Sequence, residues 1–272
     1  MVNEWTWRLL RIALGVAAGG YVVLLVAAQV LVDRALFHPD FGSRRAPEGL
    51  RKIRSADGNE IAVLHLPNPA ARHTLWFFHG NAETLGDLEP FLHELRRRGF
   101  AVFAFDYPGY GQSTGRPTEA SVHAAARAAG DYLRDELRVP AERTLLYGRS
   151  LGGGPAVQQA AERRPAGLVL QATFTSAFRV VTQRRILPGD RFDNLAALPG
   201  VACPVLVMHG TTDEVIPFSH GEKLLAAARG PARSLWVRGA GHNNLIEVAG
   251  ETYWDALRDF SGACAAPPAE GR

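Results

Sequence analysis

Five residues, Gly148-Arg149-Ser150-Leu151-Gly152, constrain this chain more than any other stretch. The apolar run Thr144-Leu145-Leu146 precedes them and reads as a buried strand. Pro155-Ala156-Val157-Gln158-Gln159-Ala160-Ala161-Glu162 follows and reads as a helix. Strand, Gly-x-Ser-x-Gly, helix is the pattern of a nucleophile elbow, a sharp turn that strains a serine and exposes its hydroxyl. The turn needs room beside the serine, and Gly148 and Gly152 supply it because neither has a Cβ. The following helix aims free N–H groups and a positive dipole end at the serine. Pro155 sits at the limit of what the first helical turn tolerates, since an interior proline removes a needed donor. A Gly/Ser turn before a helix is the plainer account of the five residues alone; the flanking strand and helix favour the elbow.

The rest of the chain alternates short apolar runs with helical spacing. Strands are expected at residues 74–78, 100–105, 167–171, 204–208 and 234–237, and helices at 85–98, 119–137, 220–228 and 243–260. Residues 52–65 read as a β-hairpin with Asp57-Gly58 in its turn. Strands alternating with helices predict a mostly parallel sheet with helices on both faces, an α/β fold. The 272 residues suit one large domain. The expected division is an anchor at 1–36, a Pro/Gly-rich linker at 37–51, the α/β domain at 52–261 and a flexible tail at 262–272 that holds Cys264. The connection at 172–202 must supply a helix, expected near 178–185. Its Phe174, Phe178, Val180, Val181, Ile186 and Leu187 either line an open acyl groove or pack as ordinary helix residues. Its Arg179, Arg184, Arg185 and Arg191 either meet anionic headgroups or form a solvated face.

The opening segment differs from the rest. Residues 12–32 carry no charge, with Arg8 and Arg11 before them and Asp33 and Arg34 after. A run of roughly 20 apolar residues is what a bilayer-spanning helix needs. The alternative, a cleaved signal peptide, has an apolar core of roughly 7–15 residues. The expectation is an uncleaved transmembrane helix, placing the protein in a bacterial inner membrane as a single-pass chain with the side left open. A chain starting near Arg44 is expected to be soluble and active. The net charge of +3 is too small to argue for a nucleic-acid partner. Cys203 and Cys264 show no metal-ligand spacing, and no metal or cofactor is expected.

Chemistry at such sheets sits beyond the carboxyl ends of the strands. Three polar residues fall there in chain order: Ser150, then Asp213 in His209-Gly210-Thr211-Thr212-Asp213, then His242 in Gly239-Ala240-Gly241-His242. In a Ser-His-Asp triad, Ser150 is the nucleophile, His242 the base and later the acid, and Asp213 the group that fixes the imidazole tautomer. Glu214 is the near rival of Asp213. The oxyanion requires two backbone donors: Leu151, after the nucleophile, is one, and Asn81, after His79-Gly80, is the second candidate. His79 and His209 read as structural hydrogen-bonding residues, and Arg149 as half of an ion pair.

From Lys52 to Phe260 the sequence resembles the α/β-hydrolase superfamily. Phe77-Phe78-His79-Gly80-Asn81-Ala82, Asp106-Tyr107-Pro108-Gly109-Tyr110-Gly111-Gln112-Ser113 and Gly148-Arg149-Ser150-Leu151-Gly152-Gly153 carry the likeness. Within it they are similar to a membrane-anchored branch of serine-aminopeptidase-like and depalmitoylase-like hydrolase domains. The resemblance implies a cofactor-free serine hydrolase acting on small carboxylic ester or thioester substrates of acyl type. A serine peptidase and a silent binding domain on the same fold are the alternatives, and no oligomeric state follows from it.

Overall fold

The computed structural model describes residues 3–182 and 190–264. The chain opens with one long helix, α1 (Glu4–Leu36). A hairpin of β1 (Arg51–Arg54) and β2 (Glu60–Leu66) follows. Then come β3 (Thr74–Phe78), α2 (Leu85–Arg97), β4 (Ala101–Phe105), α3 (Glu119–Asp135), β5 (Thr144–Arg149), α4 (Gly153–Arg163) and β6 (Gly167–Gln171). The chain continues through α5 (Ala177–Thr182), α6 (Asn194–Ala197), β7 (Val205–Gly210), α7 (Ser219–Ala227), β8 (Ala232–Val237), α8 (Leu245–Ala249) and α9 (Glu251–Ala263). The strands form one eight-stranded sheet in the order β1-β2-β4-β3-β5-β6-β7-β8. β1 and β2 pair antiparallel with each other, and β2 pairs antiparallel with β4. The strands from β3 to β8 run parallel. This is the α/β-hydrolase fold.

The continuous apolar strands follow from burial on both faces. In β3, Trp76 and Phe78 face one side, where they meet alanines of α3 and Ala156, Val157 and Ala160 of α4. Leu75 and Phe77 face the other side, toward Leu88, Leu92 and Leu95 of α2 and Tyr253, Leu257 and Phe260 of α9. Each such side chain contributes roughly 1.5–3 kcal/mol when fully buried. Small residues let the helices lie close: a Cβ on Gly130 of α3 would come within 2.6 Å of the Trp76 ring. The start of α2 is fixed twice. Thr84 and Asp87 form a capping box, and the Leu85 N–H donates to Asp106 Oδ1 at the end of β4, 2.8 Å away. That fastening holds the loop before α2 over the carboxyl edge of the sheet.

Several boundaries differ from the sequence reading. The last helix is broken: Gly250 has φ 54° and ψ −132°, so α8 stops and α9 starts anew. α9 then runs to Ala263, past the expected tail boundary. Cys264 is buried rather than loose, packs against Gly167, and accepts a hydrogen bond from Arg72 on its carbonyl at 3.0 Å. The segment after α1 is pinned down along its length. Phe37 and Pro47 are buried, and Arg44 donates to the Gly111 carbonyl at 2.9 Å. In the connection after β6, Phe174 belongs to the core, Val180 packs against it, and Phe178 is half-buried. Arg179 pairs with Asp193 at 3.3 Å and Arg191 with Asp33 at 3.0 Å. Phe174 and Val180 therefore pack as ordinary core-facing residues, whereas Arg179 and Arg191 form neither a solvated face nor a free cationic surface: both are largely buried in ion pairs. Arg184, Arg185, Ile186, Leu187 and the side chain of Val181 lie outside the described residues.

Along α1, residues 4–24 are exposed on every side, and the window Glu4–Leu24 has a mean hydropathy of 1.4. By length and composition this helix is apolar enough to cross a membrane. Its far end behaves differently: Val32 is 7% exposed and Asp33 meets Arg191 of the domain.

Candidate active site

The elbow takes the conformation that its glycines allow. Ser150 lies at φ 51°, in the left-handed region, which costs a residue with a Cβ on the order of 1–3 kcal/mol. A Cβ on Gly148 would sit 2.7 Å from the Gly152 carbonyl oxygen, and one on Gly152 would run into the Phe78 carbonyl at the end of β3. The strained turn is fastened from the next strand. Thr173, just after β6, donates its hydroxyl to the Ser150 carbonyl at 2.6 Å. Sequence reading missed Thr173, because nothing local marks a threonine that supports a turn 23 residues away.

Ser150, His242 and Asp213 arrive from three different strand ends and meet. Ser150 Oγ lies 3.0 Å from His242 Nε2, and His242 Nδ1 lies 2.8 Å from Asp213 Oδ2. With Nδ1–H donating to the carboxylate, Nε2 presents its lone pair to the serine hydroxyl. Asp213 is fully engaged: Oδ1 accepts the N–H of Val215 at 2.9 Å and of Ile216 at 2.7 Å. His209 Nε2 lies 3.3 Å from Oδ2 and 2.9 Å from the Ile216 carbonyl. Burial alone would raise this carboxyl's pKa. The hydrogen bonds from His209, His242 and Ile216 outweigh burial and hold it well below the usual carboxylate range. Glu214 accepts the His242 backbone N–H at 3.2 Å, and among the described residues no hydrogen bond joins it to the imidazole.

The loop between β3 and α2 lies against the elbow. Asn81 and Leu151, the expected oxyanion donors, both border the serine: Asn81 lines the cleft with Ser150, and Leu151 follows it in the chain. Among the described residues, neither backbone N–H has an acceptor within the protein. The Gly80 N–H is taken by Glu83 Oε2 at 2.8 Å, and Glu83 pairs with Arg149, as the ion-pair reading of Arg149 requires. The cleft holds about 480 Å³ and is bordered by His38, Asn81, Arg149, Val215, His242 and Ile246.

Behind this loop, His79 is fully buried and stacked on Tyr107 with ring centroids 3.9 Å apart. Its Nδ1–H donates to the Gly80 carbonyl at 2.7 Å, and Nε2 accepts the Tyr107 N–H at 3.4 Å. Desolvation pushes its pKa down to about 4, so the ring is neutral and structural. Burial pushes the neighbouring Asp106 up to about 7 against the lowering effect of the Leu85 and Gln112 N–H groups. Asp106 stood in the quoted motif, yet its part in holding α2 showed only in the fold. Glu83, like Thr173, gave no signal in the sequence.

The family model for serine aminopeptidase S33 matches residues 69–187. Human alpha/beta hydrolase domain-containing protein 17B is 39% identical over 211 residues, covering 76% of this chain and 73% of the relative. The aho-3 alpha/beta hydrolase domain-containing protein of Caenorhabditis elegans is 40% identical over 223 residues, covering 78% and 64% of the two chains. Among solved structures, an esterase of Pyrococcus furiosus superposes with a TM-score of 0.68 at 19% identity, covering 79% of this chain and 91% of its own. An esterase of Rhodococcus gives 0.64 at 19%, over 80% and 100%. These two likenesses concern the fold; the sequence matches concern descent. On the sequence matches, the chain belongs to the α/β-hydrolase superfamily, in the group of alpha/beta hydrolase domain-containing proteins that includes human 17B.

Proposed function

We propose that the protein is a membrane-anchored serine hydrolase that cleaves carboxylic ester or thioester bonds through an acyl-enzyme. The observation that carries this reading is the hydrogen-bonded relay from Ser150 to His242 to Asp213, with Ser150 strained into the cleft. His242 takes the Ser150 proton as Oγ attacks the acyl carbon, then passes it to the leaving alcohol or thiol. Asp213, ionised through the neutral range, stabilises the imidazolium that forms between those steps. The N–H groups of Asn81 and Leu151 receive the oxyanion, and water then repeats the sequence on the acyl-enzyme. α1 serves as the anchor, and because His38, two residues beyond its end, borders the cleft, the mouth of the site lies on the anchor's side of the domain.

A second reading, peptidase activity, is supported by the match to the serine aminopeptidase family. The deciding experiment is a hydrolysis profile over acyl esters and thioesters of increasing chain length beside aminoacyl amides. The expected result is turnover of esters and thioesters at least ~100-fold faster than of amides, as kcat/KM, on a scale where tenfold is about 1.4 kcal/mol. Faster cleavage of the amides would select the peptidase. No turnover of any of them would leave a binding domain.

A further inference from the structure

The side chain of Asn81 carries four hydrogen bonds. Its Oδ1 accepts the Tyr110 hydroxyl at 2.6 Å, the His38 N–H at 3.0 Å and the Ala82 N–H at 3.1 Å. Its Nδ2 donates to the Leu36 carbonyl at 2.6 Å. Two of these partners belong to the point where α1 ends. Leu36 is the last residue of α1, and its carbonyl is one that the helix itself cannot satisfy. His38 is the second residue beyond the helix. The amide of Asn81 therefore caps the anchor helix.

The strap at residues 36–38 is itself held rigidly. Phe37 is 3% exposed and meets Phe192 edge-on, with centroids 6.1 Å apart. One turn earlier, Asp33 pairs with Arg191 at 3.0 Å. Tyr110, the third partner, is completely buried, and its hydroxyl also lies 2.9 Å from the His38 nitrogen. On the loop side, Ala82 sits at φ 59°, so the backbone after Asn81 holds a conformation that a residue with a Cβ does not choose by itself. Asparagine suits this place because it offers an acceptor and a donor on one short, stiff stem. Aspartate would turn an acceptor toward the Leu36 carbonyl. Alanine would leave that carbonyl without its donor and the Tyr110 hydroxyl without its acceptor, and the His38 N–H would keep only the Tyr110 oxygen.

We propose that Asn81 is a positioning residue and that the strap at 36–38 is part of the catalytic apparatus: the strap grips the Asn81 side chain so that the Asn81 backbone N–H stays aimed at the oxyanion. The anchor helix then does more than place the enzyme on a membrane, because its last turn sets the geometry of the oxyanion hole. This rests on the reading of the Asn81 N–H as an oxyanion donor.

The test uses the full chain in detergent micelles with a soluble short-chain p-nitrophenyl ester, so that membrane presentation plays no part. Rates are taken per active site, counted by fluorophosphonate titration, and for Ser150→Ala, which offers no serine to titrate, per mole of protein. Loss of one oxyanion donor costs about 10²–10³ in kcat, so a misaimed donor in Asn81→Ala is expected to cost ~10–100-fold in kcat with KM within ~3-fold. The Ki of a trifluoromethyl ketone should rise by the factor by which kcat/KM falls, since both report on the oxyanion. Phe37→Ala should lower kcat ~3–10-fold on its own and less than ~2-fold in the Asn81→Ala background, because both changes act through one contact. Tyr110→Phe removes a single hydroxyl and should give a smaller kcat loss with the same unchanged KM, which covers the case of an Asn81→Ala chain that does not fold. Normal kcat in both Asn81→Ala and Tyr110→Phe, or multiplying effects of Phe37→Ala and Asn81→Ala, overturns the proposal. Turnover that survives in Ser150→Ala removes the reading of Ser150 as the nucleophile, and the proposal with it. Turnover lost in Ser150→Ala but normal in Asn81→Ala removes the positioning role alone.

Discussion

Asp213 holds four hydrogen-bonding neighbours on two oxygens, and each favours the ionised form. A carboxylate so surrounded orients one imidazole tautomer, with Nδ1–H toward the acid and Nε2 toward Ser150. Asp213→Asn keeps the shape and removes the charge, so the wrong tautomer becomes available. It should lower kcat by ~10⁴-fold. Glu214→Gln should stay within ~3-fold, since Glu214 bonds the His242 backbone N–H rather than its ring. Steady-state kinetics on a soluble ester check the pair, and the reverse ranking would hand the acid's place to Glu214. The three residues of the relay were legible in the sequence because each follows a strand-like apolar run. Their supports were not. His209 could be read as structural, but its contact with Asp213 depends on where α7 presses on it. Thr173 reaches Ser150 and Glu83 reaches Arg149, residues far from them in the chain.

At the scale of elements, α1 is the least ordinary part. Its first 21 described residues meet no other part of the protein, while its last turn is built into the domain. Full-length protein should stay with the membrane fraction through a carbonate wash, since the exposed apolar helix is long enough to span a bilayer. Release by carbonate would exclude an integral anchor. The linker reading of residues 37–51 followed from prolines and glycines, which mark irregular backbone but do not say whether it is docked. Here it is docked, and the consequence changes the expectation for truncation. A chain starting at Val30 keeps the strap and should match the full chain on a soluble ester. A chain starting at Arg44 lacks Phe37 and His38 and should lose at least ~10-fold in kcat, from the lost aim of an oxyanion donor. Equal activity of the two truncated chains would show that the strap is dispensable.

Across the whole molecule, the sheet and its two helical layers were readable because burial on both faces leaves strands of unbroken apolar residues, such as Leu75-Trp76-Phe77-Phe78. The break at Gly250 was not readable, since a lone glycine within a helical pattern is tolerated as often as it is disruptive, and only its dihedrals decide. The burial of Cys264 escaped for a related reason: the fit of its sulfur against Gly167 is a long-range packing event. The architecture gathers residues 150, 213 and 242 at one edge of the sheet, and the central claim is that Ser150 is the nucleophile they serve. Intact-mass measurement after treatment with a fluorophosphonate tests this most directly. The account predicts one adduct per chain, mapped by peptide digestion to Ser150, absent in Ser150→Ala and formed far more slowly in His242→Ala. An adduct on another residue, or ester turnover that persists in Ser150→Ala, would contradict it.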